Sequence, residues 1–230
     1  MADTGPKAPA KARSKRLAPD ARQQQILEGA IAYFAEFGFE GGTRALASFL
    51  GISQALLFRY FPNKAALVDR VYEVVFLNRW NPQWKALLTN RELPLADRLK
   101  AFYKDYNRSI DRYEVIRISL FSALRNESIS QRYVARLREQ LIAPMVEECR
   151  AHLGLPATGG LPLGSLEEQL VLSLHATVIY GIMRKHVFHA AAPGDSDFLI
   201  ELYVDSFVSH AGESFRRVLQ RAEQSASIAA

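Results

Sequence analysis

Residues Thr43 to Phe61, TRALASFLGISQALLFRYF, with Pro62-Asn63-Lys64 behind them, constrain this chain more than any other stretch. They read as two short helices joined by a tight turn. Thr43 is placed to cap the first helix with its hydroxyl, and Ser53 to cap the second. Gly51 lies between them, where the backbone needs a positive φ that a Cβ resists. Leu46, Ala47, Leu50, Ile52, Leu57 and Phe61 have the spacing of one buried seam, and the small Ala47 lets the two backbones approach closely. With Leu57 and Phe61 turned inward, the opposite face of the second helix carries Gln54, Ala55, Leu56, Phe58 and Arg59. An amide, a guanidinium and apolar groups together suit base edges and thymine methyls. No acidic residue occurs from Gly41 to Val68, while Arg44, Arg59 and Lys64 do. The stretch is a helix-turn-helix, built to push its second helix into a DNA groove.

The composition is that of an ordinary globular chain. Of the 230 residues, 49% are apolar and 23% charged, enough for one large domain or two small ones with a real core. Cys149 is the single cysteine, which excludes an internal disulfide framework and fits a reducing cytoplasm. No run of about 18 apolar residues appears, and the N-terminus lacks the apolar core of a secretory signal. A membrane partner is therefore not expected. The net charge of +5 is uneven, because Lys7, Lys11, Arg13, Lys15 and Arg16 crowd ahead of the helix-turn-helix. Residues 1–18 have no apolar periodicity and read as a disordered basic arm. Such an arm serves either as a phosphate or minor-groove contact or as a solubilising tail.

Helical periodicity then runs through the chain. Pro19 and Asp20 start a first helix whose Leu27, Ala30, Ile31 and Phe34 pack over the helix-turn-helix, and Gly38 stops it. Asn63 caps a fourth helix whose apolar stripe, Leu67, Val71, Val74 and Val75, continues towards Trp80 until Asn81-Pro82 ends it. Five further helices are expected near 94–112, 115–125, 127–152, 165–189 and 195–222. Pro144 should kink or split the third of these. The last two are apolar on more than one face, as helices covered on most sides must be. Gly181, Ser206, Ala211 and Gly212 are small enough there for close crossings. The fold class is all-α, with the helix-turn-helix domain at 19–64 and a helical body at 65–230.

Chemistry for catalysis or metal binding is not evident. His186 and His189 share a helix face with His175 three turns earlier, but no HExxH or CxxC occurs, so core or capped histidines are the plainer reading. Neither a GxSxG elbow nor a glycine-rich phosphate loop is present. No enzyme activity, no cofactor and no metal are expected.

The run GISQALLFRYFPNKAALVDRVYE, with ARQQQILEGAIAYFAEFGFEGGT before it, resembles the DNA-binding signature of the TetR family of transcriptional regulators. The likeness covers roughly residues 20–75. Ala55 stands where that family often has glycine, and Leu50 where it often has alanine. The resemblance implies a ligand-binding and dimerising body behind the head, with the last two helices forming a four-helix dimer interface. It implies base choice by Gln54, Leu56, Phe58 and Arg59 with Arg44, and phosphate contact by Tyr60 and Lys64. Thr43, Ser53 and Ala55 complete the DNA-facing set. Arg59 is left to reach either a guanine or a flanking phosphate. For a small-molecule effector, of unknown identity, the resemblance points to Trp80, Phe102, Tyr106, Phe121, Ser122, Met145, His175, Ile179 and Met183, with Arg117, Arg125 and Arg184 available to an acidic ligand. The implied protein is a cytoplasmic homodimeric repressor, released by its effector from a pseudo-palindromic double-stranded operator. A ligand-independent activator or protein-binding regulator is the alternative. A helical enzyme with a borrowed head, or a non-specific DNA-packaging protein, would be further departures.

Overall fold

The computed structural model describes residues 18–125, 128–159, 165–191 and 194–229. Apart from Ala18, the expected basic arm lies outside the described residues. Within them the chain is helical without a strand, in eleven α-helices. The head consists of α1 (Pro19–Phe37), α2 (Thr43–Phe49), α3 (Gln54–Tyr60) and the start of α4 (Lys64–Val75). The body holds α5 (Gln83–Thr89), α6 (Leu95–Ile110), α7 (Tyr113–Leu124), α8 (Ser128–Leu137), α9 (Ala143–His152), α10 (Leu166–His186) and α11 (Ser196–Ala229).

Local chemistry sets most of these boundaries. Pro19 opens α1, where its missing N–H costs nothing. Gly38 ends it at φ +70, and a Cβ there would also lie 2.9 Å from the Phe121 ring. Gly51 turns α2 into α3 at φ +64. The Ser53 and Asn63 side chains cap α3 and α4 by accepting from the amides of Leu56 and Ala66, at 3.1 and 2.8 Å. Ser165 caps α10, and Asp195 accepts from the Phe198 amide at the start of α11.

Three expectations need correction. Thr43 does not cap α2; Gly42 occupies the cap position, and Thr43 is the first helical residue. The fourth helix ends at Val75, short of Trp80, and a 3₁₀ turn at Leu77–Arg79 follows. Beyond Asn81-Pro82 the chain enters α5, where no helix was expected. Buried Trp84 and Leu88 anchor it, with Trp84 Nε1 donating to Asp105 Oδ2 at 2.7 Å. The Pro144 expectation takes a particular form. The chain stays helical from α8 to α9 but widens to a π-turn at Arg138–Ile142, just ahead of the proline. A wider turn accommodates the bond that proline cannot donate and its clash with the preceding carbonyl.

Buried apolar side chains form one continuous core from Leu27 and Phe34 in the head to Val204 and Phe215 in α11. The α7 helix carries the head. Arg117 Nε donates to Ala35 O at 2.5 Å and Nη2 to Glu36 O at 3.1 Å, covering the last carbonyls of α1. Tyr113 donates to Glu36 at 2.6 Å, and Arg132 of α8 pairs with Asp69 of α4 while lying 4.0 Å from the Tyr72 ring centroid. At the other end, Lys100, Lys104 and Arg108 of α6 pair with Asp205, Glu201 and Asp197 of α11. Both sets are spaced by one helical turn and run in opposite directions, which fixes the antiparallel register of the two helices.

Candidate nucleic-acid interface

The seam of the helix-turn-helix is buried as its spacing predicts. Leu46, Ala47, Leu57 and Phe61 are at most 4% exposed, while Leu50 and Ile52 are half-buried against the same core. Burying those four leaves α3 only one free face. Ala55, Phe58 and Arg59 are exposed on it, and Gln54 and Leu56 are half-buried at its edge. Arg44 is exposed on α2. Neither α2, α3 nor the first turn of α4 brings an acidic residue to this surface.

Several expected contacts are already engaged within the protein. Gln54 Nε2 donates to Thr43 Oγ1 at 2.8 Å, joining the first residues of the two short helices. Ser53 spends an acceptor lone pair on its cap and keeps its hydroxyl proton. Lys64 Nζ donates to Phe39 O at 3.1 Å and lies 5.8 Å from the Phe39 ring centroid, so the ammonium also holds the loop between α1 and α2. Tyr60 is half-buried against the core.

The residues expected around an effector do not form one lining. Phe102, Tyr106, Met145 and His175 are buried together, with Phe102 stacked on Tyr106 at 5.4 Å and Tyr106 5.2 Å from His175. Tyr103, absent from the expected set, lies between them and donates to Met145 Sδ at 3.6 Å. Trp80 joins through Trp84, which packs edge-on against both Phe102 and Tyr106. The crevice beside Trp80 is about 10 Å³, room for one water. Phe121 lies elsewhere, beneath Gly38 at the joint with the head. Ser122 is buried and accepts from the Ser130 amide, tying α7 to α8. Ile179 and Met183 are half-buried on α10. Of the arginines set aside for an acidic ligand, Arg117 holds α1 and Arg125 pairs with Glu40, while Arg184 is exposed.

Sequence reasoning missed Trp84, Tyr103 and the Arg117 clamp. For α5 the sequence offers only the Trp84–Leu87–Leu88 step, whereas Tyr113, Arg117 and Phe121, four apart, signalled a shared face on α7.

Residues 26–71 match the model of a family described as bacterial regulatory proteins, tetR family. That stretch is a TetR-family DNA-binding head. Part of it is 42% identical over 57 residues to the HTH-type transcriptional regulator LuxR of Vibrio harveyi, a match spanning 24% of this chain and 28% of that one. Beyond the head the likeness is one of fold. A TetR-like transcriptional regulator from Rhodococcus sp. RHA1 superposes with a TM-score of 0.59 at 18% identity, covering 82% of this chain and 96% of its own. A TetR-family regulator from Marinobacter aquaeolei VT8 gives 0.56 at 18% identity, over 83% and 95%. A third, from Pseudomonas syringae pv. tomato DC3000, gives 0.54 at 18% identity, over 84% and 97%. The helical body is thus the TetR fold carried on a different sequence.

Proposed function

We propose that the protein is a homodimeric, sequence-specific transcriptional repressor that leaves a pseudo-palindromic operator when a small molecule binds its body. The observation that carries this reading is the free face of α3, where Ala55, Phe58 and Arg59 stand exposed on a surface without acidic residues. Gln54 in the first turn reads a base edge, Leu56 and Phe58 meet thymine methyls, and Arg44 and Arg59 reach bases or phosphates. Tyr60 and Lys64 grip the backbone. Acting on DNA, the protein works in the cytoplasm. Contact between the body and α1 through Arg117 gives an effector a route to the head.

The test has two arms. Full-length protein is used to enrich a randomised duplex pool, and the recovered site is then changed one base at a time at fixed salt. Gln54→Ala should cost ~1–3 kcal/mol on the best site and relax one base pair per half-site, whereas Lys64→Ala weakens good and poor sites alike. Uniform loss in Gln54→Ala with altered base preference in Lys64→Ala would reverse the assigned roles. In the second arm, a small-molecule panel is screened for compounds that raise the melting temperature and release the duplex. No release by any compound that binds the body would support the alternative of a ligand-independent regulator.

A further inference from the structure

We propose that Thr43 is a positioning residue for base choice: its hydroxyl orients the Gln54 amide so that Oε1 faces the groove and selects a base presenting an amino group. The inference rests on α3 being the recognition helix.

Neither side chain is needed where local chemistry would have used it. Gly42 caps α2, which releases the Thr43 hydroxyl, and Ser53 caps α3, which releases the Gln54 amide. Among the described residues, the 2.8 Å bond between them is the one side-chain hydrogen bond that either makes. Both residues are half-buried at the edge of the exposed face of α3, so the bond forms where the protein meets its surroundings.

The two ends of a glutamine amide are chemically opposite. The nitrogen only donates and the oxygen only accepts, and an untethered amide turns over to present either. Tethering Nε2 to Thr43 leaves Oε1 as the outward group, together with the second N–H of the same nitrogen. In the major groove an acceptor is met by adenine N6 or cytosine N4, and opposed by guanine O6 or thymine O4. The second N–H matches adenine N7, so adenine is the preferred base. Thr43 itself touches no base in this scheme. Its own hydroxyl proton remains free, and any phosphate contact it made would affect all sequences equally.

The test uses the full-length protein and the duplex recovered from a randomised pool, with every single-base variant measured at fixed salt. Thr43→Val keeps the side-chain shape and removes the hydroxyl; Thr43→Ser keeps the hydroxyl. Thermal melts matched to wild type establish that each variant is folded, and Thr43→Ser provides the rescue. Thr43→Val should shrink the preference for amino over keto bases by roughly tenfold at the one base pair that Gln54→Ala also relaxes. Thr43→Ser should restore it, and Thr43→Val should add nothing once Gln54 is alanine. Equal weakening at all sequences, with a shallower salt dependence, would make Thr43 a phosphate contact and overturn the inference. Relaxation by Gln54→Ala but not by Thr43→Val would overturn it while leaving the recognition helix intact. Should Gln54→Ala leave every base preference unchanged, both the inference and the reading role of Gln54 fall.

Discussion

His175 is a buried polar group in the body with an unsatisfied ring nitrogen. It is 7% exposed among Tyr103, Tyr106 and their neighbours, and its Nδ1 has no hydrogen-bond partner in the structure. Burial pushes its imidazole down to about 4 from the ordinary 6.5. The unfolded chain takes up this proton near pH 6.5 and the folded one refuses it until about 4. Stability is therefore complete above that window and falls as pH drops through it, by roughly 1.4 kcal/mol per unit for this one group. Glu148 acts in a lower window. Burial raises its carboxyl, but hydrogen bonds and charge from Arg91 and Arg98 outweigh that and hold it below 4.5. Its contribution is present at neutral pH and is lost as pH falls through that depressed value. Urea midpoints at pH 7 and pH 5 separate the two. Wild type should lose midpoint between them, and His175→Phe should lose clearly less. Equal losses would mean that the imidazole is not held neutral.

At the scale of elements, α1 has no basic residue in its last turn to meet its own carbonyls. Arg117 of α7 supplies the cation from another helix, with two donors on two successive carbonyls. Arg117→Met should cost about 1–3 kcal/mol and selectively speed amide hydrogen exchange in the last turn of α1. Arg117→Lys, with one compact donor group, should recover only part. Exchange there no faster than in wild type would show that the clamp is not what holds the head. The same helices show what the sequence discloses. Gly51, Ser53 and Asn63 act on their nearest neighbours, so the head was readable from spacing alone. Thr43 was misread because its partner is Gln54, eleven residues on, and nothing local announces that bond. Phe121 enters the effector set through the resemblance in helix position, and its spacing shows a face without showing that α1 covers it through Gly38. Seven-residue α5 lies on one Trp84–Leu88 step, too short for periodicity to separate from a loop.

For the whole molecule, the question is what covers α10 and α11. Tyr180, Phe188, Phe198 and Leu202 are each about half exposed or more, an arrangement that a lone chain leaves in water. Gly181 lies among them, lining a groove of about 180 Å³ with Val178, Leu199 and Tyr203, and a Cβ added there meets nothing within 4 Å. The two assembly states therefore respond to the same substitution with opposite signs. In a monomer, Gly181→Leu enters open space and replaces a poor helix former, which should stabilise by up to about 1 kcal/mol. In a dimer joined through this surface, the added side chain meets the second copy, and overpacking costs ~1–3 kcal/mol. Leu202→Arg sharpens the contrast, since it is harmless on an exposed surface and buries a charge in an interface. Sedimentation of all three proteins at micromolar concentration reads the result. Wild type should sediment as a dimer, and both variants should shift towards monomer while remaining folded. A wild-type monomer, or a dimer indifferent to both substitutions, would move the interface off α10 and α11. It would also leave the two recognition helices without the two-fold relation that a palindromic site requires.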